Sequence, residues 1–251
     1  LPVFVETMKT QGRDGARRFV AAALGTATVV LVAVTVLGIA LAPLLVYAYA
    51  SGFQADAEKF ALTVRLTRWL FPYLAFMGVG AVAMAVLNAL DRFFAPAFAP
   101  TLLNVAFIAC AFALPPLLGR FGIAAIYALA AGALLGGLLQ VAVQFPALGR
   151  EGMLPWPRVD FGDPGVRRVG KLLFPMLLGT AVYQVNILLS RAFASSLPEG
   201  SVTYLYYAQR LVELPQGLVA NAIATATLPA LASLKAHGHD AEFRSTYAYG
   251  V

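Results

Sequence analysis

Charge is scarce in this sequence: only 12% of its 251 residues are Asp, Glu, Lys or Arg, against roughly 25% in an ordinary soluble domain. Cysteine is rarer still. The single Cys110 lies in an apolar run, which excludes a disulfide scaffold and a cysteine-based zinc site. Histidine occurs twice, as His237 and His239 in one polar stretch, a composition that reads as solvated loop. No carboxylate pair stands at catalytic spacing, and no phosphate-binding glycine loop or His-Cys-Asp cluster is present, so nothing points to an enzyme, a metal or a resident cofactor. What fills the chain instead is apolar: 60% of residues are hydrophobic, and the mean hydropathy is +0.78. One core of this size cannot hide so much apolar surface, so part of the solvent must be lipid. The net charge of +6 and pI near 9.6 would suggest nucleic acid in a soluble protein. Here the basic residues sit in short tracts between apolar runs, as in membrane proteins, and nucleic acid is not expected as a partner.

A bilayer crossing needs about 20 apolar residues. Six stretches suffice, at Phe19–Ala50, Phe60–Leu90, Phe93–Gly119, Phe121–Gly149, Leu172–Leu197 and Val202–Leu234. An all-α, polytopic membrane fold follows, because only helices and closed barrels satisfy their backbones in lipid. Pro43, Pro72, Pro146, Pro175 and Pro215 interrupt these runs and mark candidate kinks. Glycine-rich pieces such as Ala131-Gly132-Ala133 and Gly136-Gly137 read as close-packing surfaces.

The connections alternate in charge. The opening tract, the Asp91-Arg92 turn, the Arg150–Lys171 segment and the Lys235–Arg244 tract hold twelve of the eighteen basic residues, whereas the opposite loops hold only Lys59 and Arg120. The positive-inside rule places the first set in the cytoplasm. Residues 150–171 carry Pro155, Pro157, Pro164 and several glycines, too many breakers for a continuous helix. This segment, with Trp156, is expected to be a linker at the cytoplasmic interface between two helical bundles, at 1–149 and 172–251.

An internal repeat supports two halves. Lys9, Gly12, Asp14 and Arg18 recur as Lys235, Gly238, Asp240 and Arg244 at a constant offset of 226. Six spans between equivalent loops imply parallel six-helix halves related about the membrane normal. The second copy is preceded by two spans and the first by none, so the chain is expected to be a fragment lacking two helices before Leu1.

Ionisable groups at mid-bilayer cost about 2.5–3.5 kcal/mol on insertion scales and normally face a cavity or a partner. Arg210 and Glu213 are the clearest case. They lie three apart on one helix face, and Arg210 is about 13 Å past Ser201 at a 1.5 Å rise. They suit a cavity cation and its orienting acid, or a pair that neutralises itself. Arg191, about 9 Å before Leu197, fits an interfacial anchor as well as a cavity residue. Arg65 and Arg68, also three apart, suit snorkelling or a cavity lip. Buried amides at Asn88, Asn104, Gln140, Gln144, Gln184, Asn186 and Asn221 read as interhelical hydrogen bonds.

The run from Asp91 through Pro96 and Pro100 to Asn104 resembles the MurJ (MviN) lipid II flippases of the multidrug/oligosaccharidyl-lipid/polysaccharide exporter superfamily. So do Tyr206–Gly217, with Arg210, Glu213 and Pro215, then Leu228-Pro229, the opening tract and Gly152–Pro155. The resemblance runs over the whole chain, from the loop before that family's third helix to the start of its ninth. It implies a partial N-lobe at 1–149 and a C-lobe beginning at 172. It also implies alternating access that carries the undecaprenyl-pyrophosphate-linked peptidoglycan precursor, lipid II, from the cytoplasmic to the periplasmic leaflet of the bacterial inner membrane. Coupling would be to membrane potential or ions, with no cofactor. Arg210, Glu213 and Arg191 would face the cavity, with Asn186, Ser190 and Gln209 as polar neighbours. Relatives often carry an acid where this sequence has Ser190 or Gln209, which puts a sodium site in doubt. A drug or cation antiporter or a polysaccharide-lipid flippase of the same superfamily is a second reading, and a non-transporting membrane scaffold a third. An antiporter should hold more mid-membrane acids than arginines, and Glu213 is the only clear one.

Overall fold

The computed structural model describes residues 1–154 and 156–217. It resolves into two compact units, Leu1–Ala192 and Phe193–Val251. The described residues are helices and short connections: α1 (Pro2–Ala40), α2 (Ala42–Tyr49), a 3-10 turn (Ser51–Ala55), α3 (Ala57–Ala89), α4 (Phe94–Ala113), α5 (Pro115–Arg120), α6 (Ile126–Arg150) and α7 (Pro164–Ser195). Residues 201–217 are also helical (α8).

Five of these stretches are long and apolar enough to cross a membrane: Pro2–Ala40, Ala57–Ala89, Phe94–Arg120, Ile126–Arg150 and Pro164–Ser195. The chain is an all-α polytopic membrane protein. The sixth expected span, Val202–Leu234, enters as α8, and its remainder lies outside the described residues, as do Asn221, the two histidines and the second copy of the repeat.

The structure departs from the sequence reading in three places. The charged opening tract is helical rather than a loop, broken only at Gly12, whose φ of 68° and ψ of −167° no helix tolerates. Its charges lie beyond the apolar part of α1, so helical backbone there needs no burial. The expected first span is two helices, because Pro43 occupies the first turn of α2 and the chain breaks at Leu41; proline fits a first helical turn, where its missing N–H costs nothing. Helix α7 starts at Pro164, inside the expected linker, because the Asp163 carboxylate accepts from Gly165 N (2.8 Å) and Val166 N (3.0 Å) and so caps it. Asp56 caps α3 in the same way, accepting from Glu58 N and Lys59 N at 3.0 Å.

Within the first unit α1 packs on α3, α3 on α6, and α6 on α4. Small residues allow the close approaches: a Cβ at Gly132 would meet Ala106, Phe107 and Cys110, and one at Gly136 would meet Leu103. The buried core gathers Phe4, Phe19, Val20 and Leu24 of α1, Val86 and Leu87 of α3, Leu148 of α6 and Met153 of the following connection. It therefore lies at the arginine-rich end. Farther along, the helices expose Val30, Val36, Leu44, Val105 and Leu138, the side chains a lipid solvent accepts. Two hydroxyls in these helices bond to carbonyls one turn back, Thr28 to Leu24 O (2.7 Å) and Thr63 to Lys59 O (2.8 Å), which satisfies them without a neighbouring helix.

The same end is tied by polar contacts. Arg92 Nε donates to Glu151 Oε1 at 2.6 Å, and Arg13 Nη2 donates to the Glu151 carbonyl at 2.6 Å. These contacts join the opening tract, the α3–α4 turn and the connection after α6, three segments whose charge had assigned them to one side. Residues 156–163 then fold back on α1. Arg158 N donates to Ala21 O (3.0 Å), and Asp160 N donates to Thr26 Oγ1 (3.2 Å). The backbone of Arg158 occupies the place where a Cβ on Gly25 would sit.

Candidate functional site

The charged and polar residues singled out in the sequence fall on several helices: Gln209, Arg210 and Glu213 on α8, Asn186, Ser190 and Arg191 on α7, and Arg65 and Arg68 on α3. On α8, Arg210 Nη1 donates to Glu213 Oε2 at 2.8 Å, and Arg210 Nε to Tyr206 Oη at 3.3 Å. The guanidinium lies over the Tyr206 ring, 5.2 Å from its centroid, within the range of a cation–π contact. Gln209 Nε2 donates to the other carboxylate oxygen, Glu213 Oε1, at 2.9 Å. Glu213 is thus held from both sides by residues three and four positions earlier, the spacing that puts side chains on one helix face.

An arginine offers five N–H donors. Glu213 and Tyr206 take two of them, and the side chain keeps 61% of its surface exposed. Among the described residues the remaining three have no protein acceptor. The guanidinium is therefore held at Nε and Nη1 and keeps both Nη2 donors open, an arrangement that suits binding of a phosphate oxyanion. Tyr206 entered the sequence reading only as the start of the Tyr206–Gly217 run, with no role in the site. Its position four before Arg210 was the available signal, but a tyrosine in an apolar run draws no attention until its hydroxyl is seen to have a partner.

On α7, Ser190 Oγ donates to Asn186 Oδ1 at 3.4 Å. Both side chains are exposed, and Arg191 beside them is half-buried. In α3, Arg68 Nε donates to the carbonyl of Ile39 at 3.2 Å. It thereby satisfies one of the orphan carbonyls that end α1. Arg65 is exposed and makes no such contact.

The amides divide as well. Gln140 and Gln144 are buried, but Gln144 Nε2 donates to Gln140 O (3.0 Å) within α6. The expected bond between helices is not formed there. Asn104, Gln184 and Asn186 are exposed and Asn88 is half-buried.

The family model described as lipid II flippase MurJ matches residues 1–251. The lipid II flippase MurJ of Burkholderia cenocepacia is 36% identical over 255 residues, covering 100% of this chain and 49% of the relative. The probable lipid II flippase MurJ of Vibrio cholerae is 36% identical over 258 residues, with 100% and 48% covered. That of Bdellovibrio bacteriovorus is 37% identical over 248 residues, with 98% and 47% covered. The chain spans about half the length of the curated relatives it matches.

Proposed function

Since the chain belongs to the MurJ lipid II flippase family, we propose that the protein carrying it moves lipid II, the undecaprenyl-pyrophosphate-linked peptidoglycan precursor, from the cytoplasmic to the periplasmic leaflet of the bacterial inner membrane. The single observation that carries this reading is the family match over every residue of the chain. The transport route is alternating access. The driving force is membrane potential or an ion gradient, with no cofactor. Residues 1–149 and 172–251 belong to successive lobes, and 150–171 link them.

The chemistry of the α8 cluster supports this reading. A pyrophosphate is a dense anion, and taking it unaided through hydrocarbon is prohibitive. A cation in a wet cavity lowers that barrier, and arginine stays charged at any depth because it does not deprotonate. Glu213 and Tyr206 hold the guanidinium at two points, so less side-chain freedom is lost when the substrate arrives. Arg191, with Ser190 and Asn186, provides a second polar stretch for the head group.

The test is complementation of a flippase-depleted strain with the full-length protein, with membrane abundance measured in parallel. Arg210→Ala is expected to abolish growth at normal abundance, and Arg210→Lys to impair it, because lysine keeps the charge but loses the planar fork. Full complementation by Arg210→Ala at normal abundance refutes the assignment of Arg210. Loss of abundance would instead make Arg210–Glu213 a strut.

A further inference from the structure

A cavity of about 340 Å³ opens between the first helix and the segment that folds back on it, lined by Arg18, Phe19, Ala22, Arg158, Asp160 and Asp163 among others. It belongs to neither polar cluster of the proposed transport site. Its depth in the membrane follows from α1: the charges of the opening tract, Lys9, Arg13, Asp14, Arg17 and Arg18, end at Arg18, and the long uncharged apolar run begins at Phe19. The cavity therefore straddles the boundary between head groups and hydrocarbon. Beside it Trp156 is 92% exposed and Phe161 56% exposed, aromatic surface that suits the same layer.

Its charges are balanced and partly unused. Asp163 spends Oδ1 on the first N–H groups of α7, and its second oxygen has no acceptor role among the described residues. Asp160 Oδ1 accepts from Gly162 N at 3.0 Å, and its Oδ2 stands 3.8 Å from Arg158 Nη2, a loose pairing. Arg18 has no hydrogen bond or ion pair among the described residues. The walls thus present guanidinium and carboxylate together over an apolar floor, in a space within the usual range of ligand pockets. A purely anionic ligand would meet the two carboxylates. A ligand with both signs meets complementary groups at each end.

We propose that this cavity binds the head group of an amine-bearing zwitterionic phospholipid. Arg18 and Arg158 take the phosphate, Asp163 takes the primary ammonium, and the acyl chains run down past Phe19 and Ala22. The ammonium must carry N–H groups to reach the carboxylate by hydrogen bonding, so phosphatidylethanolamine fits, phosphatidylcholine lacks the donors, and phosphatidylglycerol lacks the charge. The inference does not depend on the transport reading, since binding is measured directly.

The experiment is native mass spectrometry of the full-length protein released from detergent micelles, titrated with palmitoyl-oleoyl phosphatidylethanolamine, phosphatidylcholine or phosphatidylglycerol, and with free phosphoethanolamine. Phosphatidylethanolamine is expected to bind about tenfold more tightly than the other two lipids, the size of one charge-assisted hydrogen bond. Arg18→Gln should weaken it by about as much. Asp163→Asn keeps a good capping residue, so the protein should melt as before while its preference for phosphatidylethanolamine over phosphatidylglycerol disappears. Arg158→Gln provides a second phosphate-side variant should Arg18→Gln lower the melting temperature. Equal affinity for the three lipids, or unchanged selectivity in both Asp163→Asn and the arginine variants, overturns the proposal. So does displacement of bound lipid by phosphoethanolamine at the concentration at which the lipid itself competes, because the site would then read a soluble zwitterion.

Discussion

At the scale of single residues, the α8 cluster separates what spacing can reveal from what it cannot. Arg210 and Glu213 were legible because two opposite charges three apart in an apolar run have few other reasons to be there. The bond from Gln209 to Glu213 and the contact with Tyr206 obey the same periodicity, but uncharged residues give no such contrast. The partner of Arg68 is a backbone carbonyl on another helix, which no spacing encodes. Glu213→Gln is expected to reduce complementation less than Arg210→Ala, since the amide still accepts from Arg210 while the charge pairing is lost; equal loss in both would make the acid essential in its own right. Gly25 offers a stability test. Its neighbour is the backbone of Arg158, which cannot rotate away, so Gly25→Val should cost about 1–3 kcal/mol by overpacking, read as a lower melting temperature in detergent.

At the scale of elements, apolar length was enough to find the helices and poor at finding their ends. Ends are set by local geometry that hydropathy does not register. After α3 the N–H of Arg92 returns to Leu87 O (2.9 Å) across Asp91 at φ 59°, and after α6 that of Met153 returns to Leu148 O (3.0 Å) across Gly152 at φ 67°. Both are the Schellman closure, with the left-handed position one residue beyond the C-cap. Gly152→Ala should therefore lower stability by about 1 kcal/mol, and Asp56→Ala, which removes the α3 cap, by about 1 kcal/mol. Thermal unfolding of each variant beside the parent is the measurement; no shift in either would mean that these ends are held by tertiary contacts alone. The close packing of α6 on α4, in contrast, was visible in its glycines, because in lipid a small residue at a helix surface has little purpose other than approach.

At the scale of the whole molecule, the alternation of charged and uncharged connections gave the correct grouping of three segments. Arg13, Arg92 and Glu151 meet at one end. The sidedness of that end is testable. Cysteine introduced at Asp163 should react with a membrane-impermeant maleimide only after the cytoplasm is opened, and cysteine at Asp56 should react from the periplasm; the reverse pattern would invert the orientation. The two-lobe division rests on the repeat and the resemblance, and its second copy lies beyond residue 217. Such labelling depends on a feature already met in the packing of α4 on α6. The sole thiol of the chain, Cys110, is buried where a Cβ on Gly132 would touch it. Burial leaves a water-borne reagent little access to it, so within this chain an introduced, exposed cysteine reports against a weak background.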